Sequence, residues 1–182
     1  MKRLLSVLLA AMLVLSAATA LADVTFTTPY YTMTLPDGWE IDQEDLEADS
    51  GEGMEALGYC YASEEIGMVI EAFMLTYEDL QDFSLWNADA AGVQDYVDAV
   101  MEDFADDKPE FLGIVQAGSI PFVLIRGADE YGDYLYADTM TNGYAIEFMA
   151  YVTDAEGEIQ YPLTDDAIET FKSILVTFLP AA

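Results

Sequence analysis

The sequence predicts an α+β fold: an antiparallel β-sheet, built as a meander of hairpins, covered by amphipathic helices, one on each face. Three observations predict it. "DYLYADTMTNGYAIEFMAY" is two strand-like runs joined by Asn142-Gly143, the dipeptide most favoured in a two-residue hairpin turn. "PFVLIRG" is apolar on both faces, with Phe122 and Leu124 on one and Val123 and Ile125 on the other, so it requires cover on both sides. Two segments have apolar residues at helical spacing to supply that cover.

In chain order, "MKRLLSVLLAAMLVLSAATALA" comes first. Lys2 and Arg3 give a basic start, an apolar run follows, and Ala20-Leu21-Ala22 fits a small-x-small cleavage site. This is the pattern of a secretory signal peptide. The apolar run is shorter than the roughly 20 residues of a spanning helix, and no later stretch is long enough to cross a membrane. The expected organisation is a signal peptide over 1–22 and a single secreted α+β domain over 23–182, extracellular or periplasmic after cleavage near Ala22. No Cys follows the cleavage site to take a lipid anchor.

"VTFTT" and "YYTMTLP" read as short strands around Pro29, and "PDGW" as a turn. Residues 41–55, "IDQEDLEADSGEGME", read as an acidic loop. "ALGYCYA" and "GMVIEAFMLTY" read as a hairpin. A helix is expected over 89–104, with Val93, Tyr96, Val97, Val100 and Phe104 as its apolar stripe. "EFLGIVQAG", "IPFVLIRG", "YGDYLYADTM" and "GYAIEFMAYV" continue as a meander. A closing helix is expected over 165–178, with Thr164 as N-cap and Asp165 and Asp166 in its first turn.

The strand ending in Leu-Pro-x-Gly-Trp within "YYTMTLPDGWE", the strand meander, and the closing "DDAIETFKSILVTF" helix resemble the PsbP/Mog-like fold family across most of residues 24–180. The resemblance implies an accessory binding protein without catalytic activity. Members bind different partners, so it carries no functional residue to this chain. The strong acidity departs from the family pattern.

That acidity is 35 Asp and Glu against five Lys and Arg, a formal charge of −30. Lys2 and Arg3 lie in the leader, which leaves Lys108, Arg126 and Lys172. Such a surface repels nucleic acid and favours a basic protein or cell-envelope partner. There is no His and one Cys. Ser-His-Asp and Cys-His catalysis, HExxH zinc sites and thiolate zinc sites are therefore excluded. Cys60 is expected as a buried, inert thiol. "ADSGEG" carries the Asp-Ser-Gly of aspartic proteases, but in an acidic stretch where a turn is the expected role. No acid cluster fits the calcium-loop register.

Folding the hairpin about Asn142-Gly143 places Asp138 opposite Glu147, with Tyr134, Tyr136 and Tyr151 on the same face. Facing carboxylates repel. Three accounts follow. That end of the sheet is wet and the repulsion small; or the pair binds a cation such as Ca²⁺; or the two share a proton or receive a basic group. The tyrosines are the expected partner-binding face. Arg126 is expected to pair with Asp133 or lie over Tyr134. The functional expectation is a non-enzymatic binding or accessory module needing no cofactor, with a Ca²⁺-binding protein and a paired-carboxylate hydrolase as alternatives.

Overall fold

The computed structural model describes residues 23–62, 64–154, 156–157 and 160–181. The expected signal peptide lies outside the described residues. Among those residues, no helix is long and apolar enough to cross a membrane.

The strands are β1 (Val24–Thr27), β2 (Tyr31–Leu35), β3 (Trp39–Asp42), β4 (Met54–Ala62) and β5 (Ile66–Thr76), followed by helix α1 (Ala90–Asp103). Then come β6 (Glu110–Ala117), β7 (Ile120–Ala128), β8 (Asp133–Thr141), β9 (Tyr144–Asp154) and β10 (Gln160–Tyr161), helix α2 (Asp165–Leu175) and β11 (Leu179–Pro180). The main antiparallel sheet runs β3-β4-β5-β9-β8-β7-β6, with β10 paired to β9 beyond the end of β8. A separate three-stranded sheet runs β1-β2-β11. The α+β class and the hairpin meander are as the sequence predicts.

Each helix is set by its cap. Asp89 accepts from the backbone N–H groups of Ala91 and Gly92 and starts α1. Thr164 accepts from Ala167 N–H and starts α2, where Asp165 and Asp166 meet the positive end of the dipole. The helices cover opposite faces of the main sheet. On one face Phe122, Leu124, Leu135, Ala137, Phe148 and Ala150 pack with α2 residues Phe171, Ile174 and Leu175 and with the small sheet. On the other, Val123, Ile125, Tyr134 and Tyr136 pack with Val97 and Val100 of α1. β7 is thus buried on both faces, as its double apolar alternation requires.

Two readings are corrected. Residues 41–55 are not one loop: β3 ends at Asp42, a single 3₁₀ turn covers Leu46–Ala48, and β4 starts at Met54. Ser50 ties this stretch, donating to Leu46 C=O at 2.8 Å and accepting from Ala56 N–H at 3.1 Å, so Asp-Ser-Gly is a turn. The closing helix ends at Leu175, and the chain then extends into β11 against β2.

Candidate functional site

The candidate site lies between α1 and the main sheet, and the β8–β9 hairpin builds its floor. Asn142 and Gly143 both adopt positive φ, 51° and 78°, as a type I′ turn requires. This turn fixes the register. Val123, Asp138, Glu147 and Phe73 form one row across β7, β8, β9 and β5. The connection from β5 to α1 wraps the hairpin tip. Tyr77 N–H donates to Gly143 C=O and Asn142 N–H to Phe83 C=O, both at 2.7 Å. That wrap carries the chain from one face to the other and brings Tyr77 and Phe83 over the floor.

The result is a cleft of about 500 Å³. Its walls are the rings of Tyr77, Phe83, Tyr96, Phe104 and Tyr136, with Asp95 and Asp103 among its acids and Asp138 at its base. Phe83 stacks on Tyr96 at 5.4 Å, and Phe104 leans on Tyr136 at 4.5 Å. Space remains because α1 presents Gly92 and Ala99 here, on a stripe with Tyr96 and Asp103 at helical spacing. The apolar stripe read from the sequence supplies Tyr96, Val100 and Phe104 to this lining; it passed over Gly92, Asp95, Ala99 and Asp103, which are small or charged and do not register as apolar anchors.

Asp138 is 2% exposed. The Tyr96 hydroxyl donates to its Oδ2, while Oδ1 is buried with no hydrogen-bond partner. Burial pushes its pKa up to about 8; the Tyr96 bond acts the other way, and the negative charges of Glu147 and Asp103 add to the rise. Glu147 is partly buried and also raised, chiefly by burial, with the hydroxyls of Tyr136 and Tyr77 opposing the shift. Tyr77 donates to its Oε1 at 3.2 Å. Glu147 does not line the cleft; only Asp138 of the facing pair reaches it. The wet-sheet account is therefore corrected, because α1 and the β5–α1 connection cover this face.

The tyrosine face is corrected for the same reason. Tyr134 and Tyr136 are 3% and 7% exposed, and Tyr151 is half-buried. The three were expected as an open partner surface; Tyr134 and Tyr136 instead pack with Val97 and Val100 of α1, and Tyr151 lies partly buried against that cluster. Tyr134 donates to Asp107 at 2.6 Å, and its ring lies against Gly127, where a Cβ would come within 2.4 Å of it. Tyr151 donates to Glu71 at 2.5 Å. Arg126 pairs with Asp133, one of the two arrangements the sequence allows.

Tyrosine is a recurrent partner of carboxylates among the described residues. Besides those named, Tyr30 donates to Glu55 at 2.5 Å, Tyr59 to Asp49 at 2.7 Å and Tyr61 to Glu40 at 3.1 Å. With so few bases available, hydroxyl donors satisfy the acids. Cys60 is buried and free, and burial pushes its thiol up to about 12. Among the described residues no group of three or more acids or cysteines is placed to hold a metal ion.

No protein-family profile matches the chain. No curated protein matches it either. Among solved structures it is similar to that of cyanobacterial PsbP (CyanoP) from Synechocystis sp. PCC 6803, with 13% identity and a TM-score of 0.49, over 90% of this chain and 95% of that one. It is also similar to a crystal structure from Bacteroides thetaiotaomicron VPI-5482, with 14% identity and a TM-score of 0.41, over 84% of this chain and 45% of that one, so it spans less than half of that protein. The resemblance to PsbP is one of fold, and it brings no residue or ligand to this chain.

Proposed function

We propose that the chain is a secreted, non-enzymatic binding module of one domain, and that the cleft between α1 and the main sheet holds its ligand. The observation that carries this reading is the unpartnered Oδ1 of Asp138, buried at the base of an aromatic cleft of about 500 Å³. That size lies within the usual range for small-molecule pockets. A buried acceptor without a partner costs about 1–3 kcal/mol, and a ligand donor placed there recovers it. The N-terminal leader supports export, and the acidic surface suits basic surroundings.

The hydrolase alternative needs two carboxyl groups flanking one scissile bond. Here one of the pair faces the cleft and the other lies outside its lining. Calcium needs six to eight oxygens, whereas the cleft is walled mainly by rings. Both observations favour binding of an organic ligand.

A neutral, environment-sensitive dye, N-phenyl-naphthylamine, tests the reading without help from the protein's charge. The expected result is saturable fluorescence enhancement with the wild-type protein. Ala99→Trp, placed on the exposed rim where the indole fills the cleft, abolishes it with the melting temperature unchanged. Dye binding absent in the wild type, or unaffected by Ala99→Trp, contradicts the reading.

A further inference from the structure

The lining of the cleft has a single sign. Its charged residues are Asp95, Asp103 and Asp138, with no Lys or Arg among them. Among the described residues, Arg126 pairs with Asp133, Lys172 with Glu169, and Lys108 lies outside the lining. Five aromatic rings face the space, and ring faces carry the negative end of the aromatic quadrupole. Asp138 lines the cleft, and its buried Oδ1 has no hydrogen-bond partner. Aromatic walls over a desolvated acid are complementary to a cation that also has an apolar body. A bare metal ion is a poor match, because it would exchange its water shell for one carboxyl and rings.

We propose that the cleft is a receptor site for a small organic cation, whose ammonium group meets Oδ1 of Asp138 and whose apolar body lies between Tyr77, Phe83, Tyr96, Phe104 and Tyr136. The inference rests on the binding-module reading above and names its ligand class. The volume suits a free small molecule. A lysine side chain from a docked protein presents the same chemistry and is separated from it below.

Binding is coupled to a proton. With Asp138 raised to about 8, its carboxyl is uncharged at neutral pH, and the entering ammonium displaces the proton. The facing titratable groups are Asp95, Tyr96 and Asp103 from α1, Tyr136 from β8, Glu147 from β9 and Tyr77 from the preceding segment. All are acids, so each favours the cation once ionised. Affinity therefore rises by about tenfold per pH unit up to pH ~8 and then levels.

The test displaces bound N-phenyl-naphthylamine at constant ionic strength. The competitors are phenyltrimethylammonium, its neutral isostere tert-butylbenzene, N-acetyl-lysine amide and Ca²⁺. At pH 8.5 the ammonium is expected to displace the dye at about a tenth or less of the concentration needed for tert-butylbenzene. Asp138→Asn brings the two to parity while dye binding persists; Glu102→Gln, exposed on α1 outside the lining, keeps the preference. Parity in the wild type overturns the proposal, as does a preference that survives Asp138→Asn, since that reports only the diffuse negative charge. Ca²⁺ acting below the ammonium concentration overturns it in favour of a metal site. Tighter binding of N-acetyl-lysine amide overturns the small-molecule source. Absence of dye binding overturns the binding-module reading itself, and this inference with it.

Discussion

The two faces of the main sheet are made by the same strands from alternate residues, yet they differ in kind. Toward α2, Phe122, Leu124, Ala137 and Phe148 are all completely buried and close on Phe171 and the small sheet. Toward α1, their chain neighbours Asp138 and Glu147 sit among tyrosines, and a cleft remains open. One face is packed at the density that stabilises a fold. The other keeps a desolvated acid beside empty space, an arrangement that lowers stability and creates chemical potential for a ligand. Fold and candidate site are thus divided between the two sides of one sheet, from one residue to the next.

The largest expected effect is on the packed face. Phe148 meets Tyr31 edge-on at 5.5 Å and Phe122 at 6.0 Å. Phe148→Ala is expected to cost about 3–5 kcal/mol in urea unfolding. A cost under ~1 kcal/mol would mean that this face is not the stabilising one.

On the cleft face the next effect has the opposite sign. Asp138 binds its proton more tightly folded than unfolded, with a pKa of about 8 against about 3.9 for a free Asp. Between those values the native state holds a proton that the unfolded state has released, so this group makes stability fall as pH rises, by up to about 1.4 kcal/mol per unit. The penalty is absent below pH ~4 and complete above pH ~8. Asp138→Asn therefore stabilises the protein on the order of a few kcal/mol at pH 8.5 and has little effect at pH 4, as paired urea titrations at the two pH values will show.

Tyrosine hydroxyls sharpen the contrast further. Tyr96→Phe removes the donor to Asp138 and is expected to cost about 1.5–3 kcal/mol above pH 8, where the acceptor is charged, and less at pH 6. Tyr31 on the packed face has a buried hydroxyl without a partner and stacks on Phe178 at 4.8 Å. Tyr31→Phe is expected to gain up to about 1 kcal/mol at either pH. Equal responses of the two tyrosines would erase the distinction between the faces.

Much of this division was legible in local sequence. Asn142-Gly143 fixed the pairing of Asp138 with Glu147, "PFVLIRG" announced cover on both faces, and Asp89 and Thr164 marked both helix starts. These signals depend on turn chemistry, period-two alternation and capping, all of which act within a few residues. Three features lay beyond such signals. The small sheet pairs β2 with β11 at the far end of the chain, which no short-range pattern encodes. The strand in 39–42 hides in an acidic stretch because an edge strand tolerates charge. The cover over Tyr134 and Tyr136 depends on which face α1 crosses to, and that is set by the wrap of residues 77–89 around the hairpin tip.

The most direct measurement is a titration of the aspartate side-chain carboxyl carbons by NMR, with Asp138→Asn used to assign the signal. A buried acid at the base of an open cleft gives one aspartate resonance titrating near pH 8, missing from Asp138→Asn, and shifted to lower pH by phenyltrimethylammonium. If every aspartate titrates below pH ~5 and the ammonium shifts none of them, the carboxyl is solvated, and the account of the α1 face as a cation-binding cleft is wrong.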